Sequence, residues 1–502
     1  MPTPEPSAGP PPVSRGAVRG TFDRMGRNLL GGPGRVPGAD IARGIAVLGM
    51  FTAHVGTTSD DIGTLEGWLG LAHGRSSILF ATVAGLSLAL FTGGGTPLTG
   101  DAMRTARSRI LVRAVLLLAL VAVLDLLGPT VMLILGFYAA YFVLALPFLR
   151  LPPARLAVAA VIVAVVGPFL VYYGTEALAR AGLRAPHDGS GAITDFLLTG
   201  QYPALVWMAY VFAGLAVGRC DLRSPTLRLG LVFGGFGLAA VSAIVSSSLV
   251  ASAGGIEAID RLLAMTSSEY LGEVPAWSDP WPPLAGLFLD GPHNDTMFEA
   301  LGSGGFALGV VGLCLLVGGR GGAGAGAATS RSARQIARRV VRAVTAPLAA
   351  VGAMALTVYS VQVVIIWWWS RADVDLLAYP INGPLSVMVL SALAAATLWR
   401  ALFGGGPLER VFARIARTAF PTSERAWNAV SDTVSNAVSD TASGASSNAA
   451  SNAGPDAGPD AASDPASEPT SDPVSDPVSD PVSDPVSDPT STLRTPPDRR
   501  SS

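Results

Sequence analysis

The residues of this chain whose types and spacing best suit chemistry are an arginine and a histidine inside one apolar stretch: Arg43 and His54 in DIARGIAVLGMFTAHVG, Asp40 to Gly56. A charged side chain within hydrocarbon costs about 3 kcal/mol or more, so it marks a function or a structural pair. On an α-helix the eleven-residue spacing is about three turns, so both side chains leave the same face about 16 Å apart along the axis. A guanidinium at one mouth of a membrane suits a phosphate, and a neutral imidazole deeper in suits proton transfer. Each has a structural alternative. Arg43 could snorkel to headgroups while pairing with Asp40, three residues earlier, and His54 could bridge two helices by hydrogen bonds. Gly44 and Gly49 leave room for another helix to come close.

Other polar constellations are sparse. The histidines are His54, His73, His187 and His293, and none has zinc-protease spacing. Cys220 and Cys314 fall in or beside different helices, so neither a metal site nor a disulfide framework is expected. His73 stands just before Arg75 at the start of the second apolar segment. Tyr359 and Gln362 in TVYSVQ are three apart and share a helix face. DGPHNDTMFE gathers Asp290, His293, Asp295 and Glu299, a set that could bind an acceptor, supply a general base or hold a cation, or simply form a solvated acidic loop. No glycine-rich nucleotide fingerprint is present, and no nucleic-acid partner is expected.

The elements that must position these groups are membrane helices. Of 502 residues half are hydrophobic and only 14% charged, against about a quarter charged in soluble domains. The mean hydropathy is positive. Apolar blocks near twenty residues long predict an all-α, polytopic membrane bundle of ten helices at 41–58, 76–93, 109–127, 130–149, 155–173, 202–218, 229–251, 297–318, 346–368 and 384–402. Pro168 should kink the fifth. With the N-terminus inside, the inner segments up to Arg417 collect 25 arginines and 6 acids, and the outer ones 5 arginines and 17 acids. That bias puts both termini in the cytoplasm of a plasma-membrane, multi-pass protein. The basic side contains no lysine, which reflects a GC-rich genome rather than chemistry. Residues 1–36 read as a disordered cytoplasmic N-terminus, 37–418 as the transmembrane domain, and 419–502, with its SDPV repeats, as a disordered low-complexity cytoplasmic tail.

RVPGADIARGIAVLGMFTAHVG resembles the first helix of the heparan-α-glucosaminide N-acetyltransferase-like family, whose signature is Asp-x-x-Arg-Gly before an apolar helix. Its Arg-to-His spacing is also similar to the acyltransferase-3 motif, in which the histidine is thought to be catalytic. HGRSSILFATVAGLSLAL, FEALGSGGFALGVVGLCLLV, ALTVYSVQVVII and GPLERVFARIAR resemble a bacterial membrane family often related to that acetyltransferase group. Together the patches span residues 35–417. The resemblance implies a membrane acyltransferase-like domain taking an acyl group from cytoplasmic acyl-CoA, in the first instance acetyl-CoA, to a glycan or lipid acceptor on the outer face, without a metal. Arg43 would hold the donor's phosphates and His54 would act as base or acyl carrier. In the animal enzyme the catalytic histidine lies in the first lumenal loop, where this chain offers His73 as a second candidate. Tyr359, Gln362, Asp290, His293 and Asp295 are candidates for substrate contacts. The bilayer is the expected partner, and a homo-oligomer is compatible with the pattern. Two other readings stand beside this one: a small-molecule transporter or exporter, and a non-catalytic membrane scaffold. Against the transporter, the sequence shows no inverted pair of glycine- or proline-broken helices.

Overall fold

The structure is a computed structural model, and it describes residues 25–26, 28–29, 35–59, 61–183, 194–267, 276–319, 328–372 and 379–420. The disordered segments expected at 1–36 and 419–502 fall almost wholly outside the described residues, as does His187.

The chain is an all-α membrane bundle. Its helices are α1 (Pro37–Val55), α2 (Leu65–Gly70), α3 (Arg75–Phe91), α4 (Gly100–Asp125), α5 (Leu135–Ala145), α6 (Pro153–Arg180), α7 (Ala204–Arg219), α8 (Pro225–Ser252), α9 (Ile256–Thr266), α10 (Met297–Gly318), α11 (Ala328–Ala353), α12 (Ala355–Arg371), α13 (Gly383–Phe403) and α14 (Pro407–Ala419). Each of the ten apolar segments is helical. Among the described residues α6, α8, α10 and α13 are long and apolar enough to cross a membrane, α11 with α12 forms one broken span, and α3, α5 and α7 are shorter apolar helices. The helix of α6 runs on through Pro168.

Of the boundaries that differ from expectation, three have a physical reason in the sequence. The basic stretch RTARSR is helical, so α4 starts at Gly100 rather than at 109. The fourth segment is α-helical only from Leu135 to Ala145, and Pro147 sits in the tighter 3₁₀ turn Leu146–Arg150 that follows. The ninth segment, expected as one helix, breaks at Met354, where its two halves bend by 75°.

α1 is the hub, packing against α11, α3, α10, α13 and α12. Glycine makes its closest crossing. A Cβ on Gly44 would lie 2.1 Å from the Leu348 carbonyl oxygen, and one on Gly352 would lie 1.8 Å from that of Asp40. Backbones of α1 and α11 therefore touch, which only glycine on both sides permits. Gly49 leaves its space to the Ser76 side chain of α3. Helix ends expected on the same side do meet. The start of α1 lies with the ends of α10 and α13, and Arg219 at the end of α7 donates to Ala89 and Gly94 near the end of α3 and to Leu149 after α5.

Candidate active site

The C-terminal end of α1 is fixed by its loop. Thr57 donates its N–H to Oδ1 of Asn382 at 2.8 Å, and the Asn382 amide returns a bond to the Thr57 carbonyl at 3.1 Å. Asn382 holds a φ of 59°, a left-handed conformation that asparagine tolerates better than most residues. One turn before that anchor, His54 Nδ1 lies 2.9 Å from Nε2 of Gln362 on α12. With the amide donating, Nδ1 carries the lone pair and Nε2 the proton. Turning the amide by 180° reverses both, so the glutamine selects whether Nε2 donates or accepts. Gln362 is buried, and among the described residues its Oε1 has no hydrogen-bond partner. Such a buried acceptor is an available contact for a bound group.

His73 precedes α3 and lies within electrostatic range of both His54 and His293. Three of the four histidines therefore converge near the C-terminal end of α1 and the N-terminal ends of α3 and α10. The reverse-turn segment before α10 is built on Glu299. Its carboxylate accepts the backbone N–H groups of His293 and Asp295, each at 2.8 Å, while Thr296 Oγ1 accepts the Glu299 N–H at 3.1 Å. Thr296 thus caps the helix while Glu299 reaches past it to the residues before the cap. It holds His293 and Asp295 at φ 63° and 50°, a region costly for residues with a Cβ. Trp207 donates its indole N–H to Asp295 at 3.2 Å, and Tyr202 packs edge-on against the His293 ring at 5.5 Å. Burial, together with the nearby Glu299 carboxylate, pushes the Asp295 carboxyl well above the ordinary range. Burial also lowers His293, with a smaller contribution from His73, and lifts the Tyr202 phenol to about 12. His293 Nδ1 is buried without a partner among the described residues.

In DGPHNDTMFE, Asp290, Pro292 and Asn294 are exposed, His293 and Asp295 are partly buried, and Thr296 and Glu299 are buried. Thr296-Met-Phe-Glu299 carries the capping-box pattern, a local signal for this turn. Tyr359 is buried on α12 but faces elsewhere: its hydroxyl accepts from the Ile134 N–H at 3.3 Å and donates to the Met132 carbonyl at 3.4 Å, holding the approach to α5.

Arg43, on α1 below His54, donates to Asp40 at 3.3 Å, to the Gly352 carbonyl at 3.1 Å and to Ser87 Oγ. The Gly352 carbonyl is free because the span breaks two residues later. Arg400 of α13 donates to the Ala349 carbonyl on the same helix end and lies 3.8 Å from Asp40, and Arg35 reaches Asp40 at 3.4 Å. On the other side of the break, Glu409 accepts the Thr357 N–H at 3.1 Å and the Thr357 hydroxyl at 2.6 Å. Cations thus meet the carbonyl end of α11 and an anion meets the amide end of α12, the arrangement that the two helix dipoles favour. Beside this network a cavity of about 170 Å³ opens between Arg35, Asp40, Arg342, Thr345 and Arg400. Arg400 and Glu409 were not among the sequence candidates. Among the described residues no group of three or more His, Cys, Asp or Glu side chains could hold a metal ion.

The comparisons bear on the first half of this architecture. Residues 35–244 match the model of a family described as heparan-alpha-glucosaminide N-acetyltransferase, catalytic. The match takes in Arg43, His54 and His73 and ends within α8, before Glu299 and Gln362. No curated protein and no solved structure matches the chain. The Asp40-x-x-Arg43-Gly44 start of α1 lies within the matched segment, and over residues 35–244 the chain is similar to the heparan-α-glucosaminide N-acetyltransferase catalytic family.

Proposed function

We propose that the protein is a membrane acyltransferase that moves an acetyl group from acetyl-CoA, bound at the arginine-rich end of α1, to an amino or hydroxyl group of a glycan or lipid presented at the His54 end. The observation that carries this reading is the His54–Gln362 pair: an imidazole at the end of a membrane helix whose tautomer is set by a buried amide. With the amide turned so that its oxygen accepts from Nδ1–H, the Nε2 lone pair would remove the acceptor's proton, or attack the thioester and carry the acyl group as the CoA thiolate leaves. His73, His293 and Asp295 stand where the acceptor would sit. At the other end Arg35, Arg342 and Arg400 line a cavity suited to phosphates, with Arg43 ordering the wall through Asp40. Both termini lie in the cytoplasm on this reading, following the arginine bias.

A transporter reading also has an observation in its favour, the broken span at Met354. Transporters place such breaks at the substrate site. Here both ends of the break are closed by Arg43, Arg400 and Glu409, which favours a structural role for it. Incubating purified protein with labelled acetyl-CoA separates the two readings. Slow thioester hydrolysis or self-acylation that is lost in His54→Ala is the expected result. A folded protein that does neither, yet moves a solute across vesicles, would replace the enzyme by the transporter.

A further inference from the structure

A cavity of about 650 Å³ lies where α4, α5 and the turn Asp195–Thr199 before α7 come together. From α4 it is lined by Leu118, Val121 and Asp125, which follow at i, i+3 and i+7 on one helix face. Phe137 of α5 and Phe196 add to the apolar wall, and Asp195 is the second acid on the lining. The acids stand at one end of the space. Asp125 closes α4, and Asp195 is next to Phe196, whose ring meets that of Phe137 in the first turn of α5 at 6.1 Å. Leu118 lies two turns, or about 10 Å, deeper along α4. The walls are held from behind. Tyr359 of α12 bonds to Ile134 and Met132, the Thr130 hydroxyl lies 3.4 Å from that of Ser370, and Thr199 donates to Asp195 at 2.5 Å. The space is therefore preformed, and its volume falls within the roughly 300–1,000 Å³ of small-molecule sites.

Two features choose an occupant. Leu118 and Met132 are about half exposed, so the apolar wall opens to the hydrocarbon around the bundle, and an apolar space of this kind takes an alkyl chain rather than water. The other end has two acids, and among the described residues lining the cavity there is no arginine, lysine or histidine. Carboxylates without a cation beside them suit a cationic head and repel a phosphate. Val121 is one turn from Asp125, so charge adjoins hydrocarbon directly. That is the connectivity of a long-chain amine, and not of a phospholipid, whose phosphate lies between its ammonium and its chains. The space is separate from the candidate active site: Phe137 meets Tyr202 at 5.2 Å, and Tyr202 in turn packs against His293.

We propose that this cavity binds a long-chain primary amine, its ammonium on Asp125 and Asp195 and its chain along Leu118, Val121 and Phe137. The proposal rests on the bundle lying in a bilayer and is independent of the acyl-transfer chemistry. The test is photolabelling of the full chain in phosphatidylcholine nanodiscs by dodecylamine with a diazirine at the far end of its chain, the matching alcohol serving as control. Labelled peptides are mapped by mass spectrometry. In wild type the amine should label residues 118–140 roughly fivefold or more over the alcohol, the scale of two partly exposed ion pairs. The variant D125N/D195N, in which each amide keeps an accepting oxygen, should bring that ratio to about one. D125N alone, a change at an exposed side chain, should lower it about twofold. Equal labelling by amine and alcohol in wild type, or an unchanged ratio in either folded variant, would overturn the proposal. So would displacement of the probe by phosphatidylethanolamine as effective as that by unlabelled dodecylamine, since the occupant would then be a phospholipid.

Discussion

At the scale of single residues the question is which side chain handles the proton. His54 has an oriented nitrogen, a buried amide partner and a position on α1 that the Arg43 spacing places on the same face. His54→Ala and His54→Gln are expected to lower acyl transfer by roughly 10²-fold or more while leaving donor binding intact, since neither replacement accepts a proton near neutrality. Gln362→Leu, which frees the ring to adopt either tautomer, should cost about tenfold or more in turnover. Steady-state rates with donor-binding isotherms check both, and full activity in His54→Gln would move attention to His73. The turn before α10 carries its own pH signature. Asp295 titrates higher in the folded protein than in the unfolded chain, so its contribution to stability is present at low pH and lost as pH rises through the folded value. Asp295→Asn should therefore stabilise the protein relative to wild type more at pH 9 than at pH 5, read as a difference in Tm. A constant offset between the two pH values would show that the carboxyl titrates normally. The helix that carries Arg43 and His54 and their spacing along it were legible in the sequence, because helical periodicity is a local property; that Tyr359 and Gln362, three apart, reach different partners was not. Nor was the pairing of His54 with Gln362. It joins residues 308 positions apart, and no local pattern carries that information. The partial burial of His293 and Asp295 was hidden for a different reason: an acidic, glycine- and proline-bearing segment has the composition of a solvated loop, and the Glu299 cap and the Trp207 bond that draw these two residues in come from other parts of the chain.

At the scale of elements the broken span is the feature that hydropathy could not anticipate. Residues 346–368 carry no charged side chain and are mostly apolar, and averaging over a window sees composition rather than a change of direction. What makes the break tolerable is spread over four other helices: Asp40 and Arg43 on α1, Ser87 on α3, Arg400 on α13 and Glu409 on α14. Arg43→Ala would leave the Gly352 carbonyl unsatisfied and Asp40 short of one cation. The expected loss is about 1–3 kcal/mol of stability, the cost of an orphaned buried polar group, together with weaker donor binding. Thermal unfolding in one detergent checks the first part, and an unchanged Tm would show that the carbonyl finds another donor. A comparable dependence is expected at the outer clamp. Arg180 pairs with Glu176 at 2.7 Å and donates to the carbonyls of Ala276, Asp279 and Pro280 while stacking on Trp281. Both side chains are buried, so Arg180→Ala should destabilise the fold by about 3–5 kcal/mol. A loss within 1 kcal/mol of zero would mean that the loop is held mainly by its apolar contacts.

At the scale of the whole molecule, charge and hydropathy already outline the architecture, because the bilayer imposes length and sign rules that are read residue by residue. The structure adds which ends meet: arginine-rich ends with one another, histidine-bearing ends with one another. A reporter active only outside the cytoplasm, fused after Arg417, should accordingly be silent, and strong external activity there would sink the proposed orientation. The distance between the two ends of α1 then acquires a meaning of its own. The cavity beside Asp40 and the ring of His54 stand about four turns apart on one rigid rod, roughly 20 Å at 1.5 Å per residue. Glycine contact with α11 locks that rod in place. If the protein is the acyltransferase proposed above, the separation would act as a ruler for the donor: a thioester anchored by its phosphates at one end would have to be long enough to reach the imidazole, and donors would be selected by arm length as much as by the acyl group.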